Sequence, residues 1–250
     1  MKPIIEYLST KVAKPSTIKA TDYTINKIVK DELDRLGYDA DLNHIDTSKV
    51  TKLNKLFMGE SRPKINCDIS KWNVSNVKSF DMAFSWADNF DGDLSEWDVS
   101  SGVSFNEMFL HTKIDFDMSN WNMSNASFVG SMFNYCYNFT GKGLQNWDTS
   151  RFKNCDSMFN NCQKFNQDLS NWDVSNVYEF SHMFEDCYKF TGKGLDKWDI
   201  KSATRLYKTF MCCKSLDTEH IDFSKWLNHY CIDESTFKGT PFDKSGTIYL

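Results

Sequence analysis

The sequence predicts an α/β repeat solenoid of about eight stacked units with an N-terminal helical cap. Three observations predict it. Trp72, Trp97, Trp121, Trp147, Trp172, Trp198 and Trp226 follow one another at intervals of 25, 24, 26, 25, 26 and 28 residues. Phe84, Phe109, Phe133, Phe159, Phe184 and Phe210 each stand twelve residues after the first six of these tryptophans. A stretch with helical apolar spacing precedes the whole array. A fixed period of this length marks a fold whose units share one core, because a single unit carries too few apolar groups to close a core alone.

Residues 1–20 carry Pro3 and Pro15 and differ in composition from the rest. Ile4, Ile5, Leu8 and Val12 fall on one face of a helix of about ten residues, too short to persist alone in water. The segment is read either as packing on the first unit or as a docking or tether peptide. Residues 21–41 form the cap. Ile25, Ile28, Val29, Leu33 and Leu36 recur at helical spacing and Gly37 supplies the stop.

Residues 42–237 hold the repeats. A degenerate first copy places Ile45 where the Trp would stand, and Phe57 again follows by twelve. Phe237 follows Trp226 by eleven, a sign of a fraying last unit; otherwise length varies only between each Phe and the next Trp, so one half of the unit is fixed by packing and the other is loop. The segment DVSNV, short and β-branched, is read as a short parallel strand or extended turn. The stretch that runs to each Met-Phe, such as residues 178–184, is read as a 3₁₀ or short α turn. Residues 238–250 are a C-terminal tail or cap, with Ile248 to Leu250 as an edge strand.

Two ladders test for chemistry. Cys136, Cys162, Cys187 and Cys213 each follow a repeat Phe by three, with Ala87 and Thr112 in the same place elsewhere. No CxxC pair exists, so they read as reduced, buried packing rather than metal ligands. Asp46, Asp98, Asp148, Asp173 and Asp199 alternate with Asn73 and Asn122. Asp and Asn share an oxygen acceptor on a short arm, suited to a turn N–H supplied with the Ser two residues on; a bound cation is the lesser alternative. The five histidines share no repeat offset or ligand spacing. No catalytic residue, metal or cofactor is expected. The repeated FTGKGL of residues 139–144 and 190–195 reads as a loop insertion on a face that a partner could use.

The pattern W-[DN]-V-S-N-V-x-x-x-x-x-M-F, followed by x-x-C-x-x-F, is written out in residues 172–190 as WDVSNVYEFSHMFEDCYKF. It resembles the BspA-like leucine-rich-repeat family of bacterial surface proteins, over roughly residues 42–237. The resemblance implies a leucine-rich-repeat-like right-handed coil and a non-enzymatic role in protein binding or structure. Members are associated with extracellular adhesion, and many occur in phages without secretion signals.

The first residues lack the apolar core of a signal peptide, and no run near 18 apolar residues exists. No membrane insertion is therefore expected. The chain is similar to the unsecreted, phage-encoded type, which places it in a virion, attached through its N-terminal segment, or in the cytoplasm of the producing cell. The alternative is a bacterial surface adhesin that meets a host protein. With a formal net charge of -5 and no basic stripe, nucleic acid is excluded as a partner, and an unidentified virion or host surface protein is expected.

Overall fold

The computed structural model describes residues 16–59 and 65–244. Ile4, Ile5, Leu8 and Val12 lie outside the described residues, as does the edge strand expected at Ile248 to Leu250. The described chain begins with strand β1 (Ile18–Thr21), helix α1 (Ile25–Leu36) and strand β2 (Ile45–Lys49). Two short helices close it, α2 (Ser224–Leu227) and α3 (Pro241–Lys244).

The expected fold class is overturned. Helix accounts for 11% and strand for 8%, and among the described residues the sheet is a single parallel pair, β1 with β2. That is not an α/β leucine-rich-repeat-like right-handed coil of eight stacked units. The amphipathic helix is present but is not a terminal cap. Parallel strands need a crossover, and α1 lies between β1 and β2, which pair Ile18 with Ile45 and Lys19 with Asp46. Ile25, Val29 and Leu33 are buried, and the helix stops at Gly37, whose φ of 100° carries its N–H back to the Leu33 carbonyl at 2.9 Å.

Turns, rather than a 3₁₀ or α helix, carry the stretch around each Met-Phe pair. Phe80, Met82, Phe84 and Trp86 donate their N–H groups to Ser104, Asn106, Met108 and Leu110 of the next copy, at 2.8–2.9 Å. The residues between them turn inward instead: Ala83, Ser85 and Ala87 donate to Phe80, Met82 and Phe84 within their own copy. A β-strand cannot close such three-residue turns while it bonds to a neighbour. The chain manages both by placing left-handed residues two before and two after each repeat Phe from Phe84 to Phe210, and two before Phe57. Met82 and Trp86 have φ of 57° and 60°, and all thirteen non-glycine residues with positive φ among those described occupy these two positions. Each costs about 1–2 kcal/mol in an L-residue, so bonds between copies must hold them there.

The DVSNV segments are turns for a similar reason. Val177 donates to the Val174 carbonyl at 2.9 Å, and the Ser175 N–H is taken by Asp173 Oδ1 at 2.9 Å. Only the degenerate copy IDTSK is a strand, because only it has β1 beside it. Elsewhere copies meet through one-residue parallel bridges, from Lys52 with Ser79 to Glu179 with Arg205. The 3₁₀ turns lie at Leu144–Asn146 and Leu195–Lys197, starting at the last residue of each FTGKGL segment rather than before the Met-Phe pairs.

One apolar cluster runs from Ala20 to Phe242. Within it the repeat Phe rings face one another in sequence: Phe57 on Phe84 at 5.2 Å, Phe109 on Phe133 at 5.9 Å, Phe184 on Phe210 at 5.7 Å and Phe210 on Phe237 at 5.0 Å. Trp121, Trp147, Trp172 and Trp198 are likewise near-parallel, 6.2–6.4 Å apart.

Candidate interaction surface

The seven repeat tryptophans are buried, and Phe84, Phe109, Phe133, Phe159, Phe184 and Phe210 are fully so. None of them can meet a partner. Each indole also makes a contact that sequence spacing did not reveal. Trp72, Trp97, Trp121, Trp147, Trp172, Trp198 and Trp226 donate Nε1–H to the carbonyls of Leu42, Ile69, Leu94, Met118, Leu144, Leu169 and Leu195, at 2.9–3.2 Å. Every acceptor is the residue three before the preceding Trp or its stand-in Ile45. A buried indole needs such an acceptor.

The cysteine ladder is occupied in the same way. Cys136, Cys162, Cys187 and Cys213 donate to the carbonyls of Phe109, Phe133, Phe159 and Phe184 at 2.9–3.0 Å, and all eight cysteines are free thiols. Burial pushes the Cys136 thiol up to about 11 and the next three well above the ordinary value. A thiol held protonated is a poor nucleophile and a poor metal ligand. Among the described residues, no three His, Cys, Asp or Glu side chains are grouped to hold a metal ion.

The Asp and Asn ladder makes the turn bonds its chemistry suggests. Asp46, Asn73, Asp98, Asn122 and Asp148 each accept the N–H of the Ser two residues on, at 3.0–3.1 Å. The FTGKGL loops are also spent internally. Lys142 pairs with Asp117 at 3.0 Å and Lys193 with Asp168 at 2.8 Å. Gly143 and Gly194, with φ of 95° and 99°, let the loop pass so close that a Cβ would lie 2.3 Å from the backbone nitrogens of Ser119 and Ser170. These loops hold neighbouring copies together.

One exposed aromatic surface is built from residues that the repeat logic passed over. Trp86, the eighth tryptophan, is off the Trp register. It stands two after Phe84, where His111 and Tyr135 stand two after theirs. All three share a left-handed backbone, Trp86 and His111 are half-buried and Tyr135 is exposed, and the signal in the sequence was this shared offset. The Trp86 and His111 rings stack at 4.5 Å. His111 meets Tyr135 and Tyr137 at 6.1 Å each, and the two tyrosines, 39% and 42% exposed, meet edge-on at 6.0 Å. Asp88 holds the imidazole through Nδ1 at 2.8 Å.

A polar cluster lies further along the chain's repeats. Glu179, buried, accepts the Ser181 N–H at 2.9 Å and the Arg205 guanidinium at 3.0 Å. His182 Nδ1 meets Glu185 Oε2 at 2.5 Å, and Lys208 reaches the other Glu185 oxygen at 3.7 Å. Burial, then the Glu179 charge, raises the Asp156 carboxyl. Every one of these groups already answers a partner across or within a repeat.

A family model described as Mycoplasma protein of unknown function, DUF285, matches residues 32–142 and again residues 111–226. The chain belongs to this family. The two DUF285 matches overlap at residues 111–142, so His111, Tyr135 and Tyr137 fall inside both. No curated protein and no solved structure matches the chain. Among the described residues no helix is long and apolar enough to cross a membrane.

Proposed function

We propose that the chain is a non-enzymatic protein-binding or structural repeat protein, and that its contact surface centres on Trp86, His111, Tyr135 and Tyr137. The observation that carries this is a contiguous set of half-buried and exposed rings, in a molecule that buries its repeat aromatics. Large rigid rings give much contact area for little lost rotamer freedom, which is why Trp and Tyr dominate binding hot spots. Its setting is a phage particle to which it attaches through its N-terminal segment, with a bacterial surface adhesin as the alternative.

A photo-crosslinking residue at position 135 tests the surface in the producing cell, with the same residue at exposed position 197, beside the buried Trp198, as control. One discrete protein adduct from 135 and not from 197, lost in the Trp86→Ala/Tyr137→Ala background, is expected. Equal adducts from both positions, or none from 135, refute the surface. Mass spectrometry of purified virions and protease shaving of intact cells separate the two settings.

A further inference from the structure

Tyr137 and Tyr188 occupy the same place in their repeats, each four residues after the repeat Phe. The Tyr188 ring is covered: Lys214, twenty-six residues on, holds its ammonium 4.7 Å from the ring centroid. The residue twenty-six after Tyr137 is Gln163, and no lysine or arginine among the described residues sits over the Tyr137 ring. Tyr137 is accordingly 42% exposed, whereas Tyr188 is half-buried. One repeat therefore supplies its own cation, and its equivalent, met by His111 and Tyr135, has none over its ring.

We infer that the Tyr137 surface takes a lysine or arginine side chain from a basic segment of a partner protein, in the place that Lys214 fills over Tyr188. This rests on the protein-binding reading above and names the chemistry of the partner. A cation is attracted by the negative face of an aromatic ring. Asp88 adds a carboxylate: its side chain is 52% exposed, and it bonds the imidazole that touches both tyrosines. The charge balance agrees, since the chain carries -5 overall and repels acidic partners. Tyr207 shows the same preference, with Lys208 5.3 Å from its ring.

The test titrates the full chain, with labelled indole nitrogens, with three probes: a short peptide of alternating glycine and lysine, its lysine-acetylated form, and a neutral oligosaccharide. The expected result is a saturable shift of the Trp86 indole signal, assigned from Trp86→Phe, with the lysine peptide alone. Tyr137→Ala should weaken binding by about fivefold or more, Tyr137→Phe should retain it, and added salt should weaken it. Unchanged thermal melting of Tyr137→Ala shows that its loss is not unfolding. Equal response to the acetylated peptide or to the sugar overturns the inference, as does unaltered binding by Tyr137→Ala. Adducts from position 135 without lysine-peptide binding would leave the protein-binding reading intact and this inference refuted. Lysine-peptide binding without any adduct would do the reverse.

Discussion

The indole N–H of Trp172 donates to the carbonyl of Leu144 at 2.9 Å, so each anchor residue ties its own copy to the backbone of the copy before it. The same ring lies 6.4 Å from Trp147 and 6.2 Å from Trp198, nearly parallel to both. Ring contact and hydrogen bond thus act along the same direction.

Trp172→Phe should separate the two. It keeps most of the buried area but removes one of two donors to the Leu144 carbonyl, which retains the Trp147 N–H at 3.1 Å, at a cost of about 0.5–1.5 kcal/mol. Trp172→Ala removes the ring as well and should cost about 3–5 kcal/mol. Urea denaturation followed by far-ultraviolet circular dichroism measures both; an unchanged Trp172→Phe would show that the hydrogen bond contributes nothing, and equal losses that the ring adds nothing beyond it.

Gly143→Ala and Gly194→Ala should each destabilise by about 2 kcal/mol or more, because a side chain is disfavoured at their positive φ and its Cβ would collide with fixed backbone. Gly130→Ala is the control: its φ is not in the left-handed range and the nearest group to an added Cβ, Asn106 Oδ1, is 3.2 Å away. It should cost much less in the same denaturation experiment.

Stability should fall as pH drops from about 4 towards 2. Asp117 is held down to about 2 by the Ser119 hydroxyl and then Lys142, and Asp168 to about 2 by Lys193 and then Ser170. A carboxylate whose folded pKa lies below its unfolded value of 3.8 stabilises the fold above that value and ceases to do so once it is protonated. The Asp117→Asn/Asp168→Asn double variant should show a shallower loss over this window in pH-resolved denaturation. An unchanged slope would mean that these exposed pairs contribute nothing to it.

Native protein treated with iodoacetamide at mildly alkaline pH should be modified at the partly exposed Cys212 and Cys231. Cys136, Cys162, Cys187 and Cys213 should stay unmodified until denaturant is added. Peptide mass spectrometry reads the sites, and rapid native labelling of Cys162 would contradict the packing described.

Glu107 has a φ of 54° and its N–H bonds to Gly130 at 2.9 Å. Glu107→Asn should be neutral or stabilising, since Asn tolerates this conformation, whereas the β-branched Glu107→Val should cost about 1 kcal/mol or more. Paired thermal melts decide it.

The period, the identity of the buried anchors, the turn role of Asp and Ser and the amphipathic helix ending at Gly37 were all legible in the residues. Each depends on local chemistry or on spacing along one chain. The fold class was not. The β-branched DVSNV segments suggested a short strand or extended turn and the Met-Phe stretches a 3₁₀ or short α turn, but left-handed backbone at Met82, Glu107 and their equivalents bears no compositional mark when neither glycine nor asparagine is used. Those conformations exist because the next copy accepts the N–H groups, as Asn106 and Gly130 do for Met82 and Glu107. The exposed surface escaped notice for the same reason. Whether Trp86 and Tyr135 point inward or outward follows from backbone handedness, which bonds between residues some 25 apart decide and no local stretch of sequence contains.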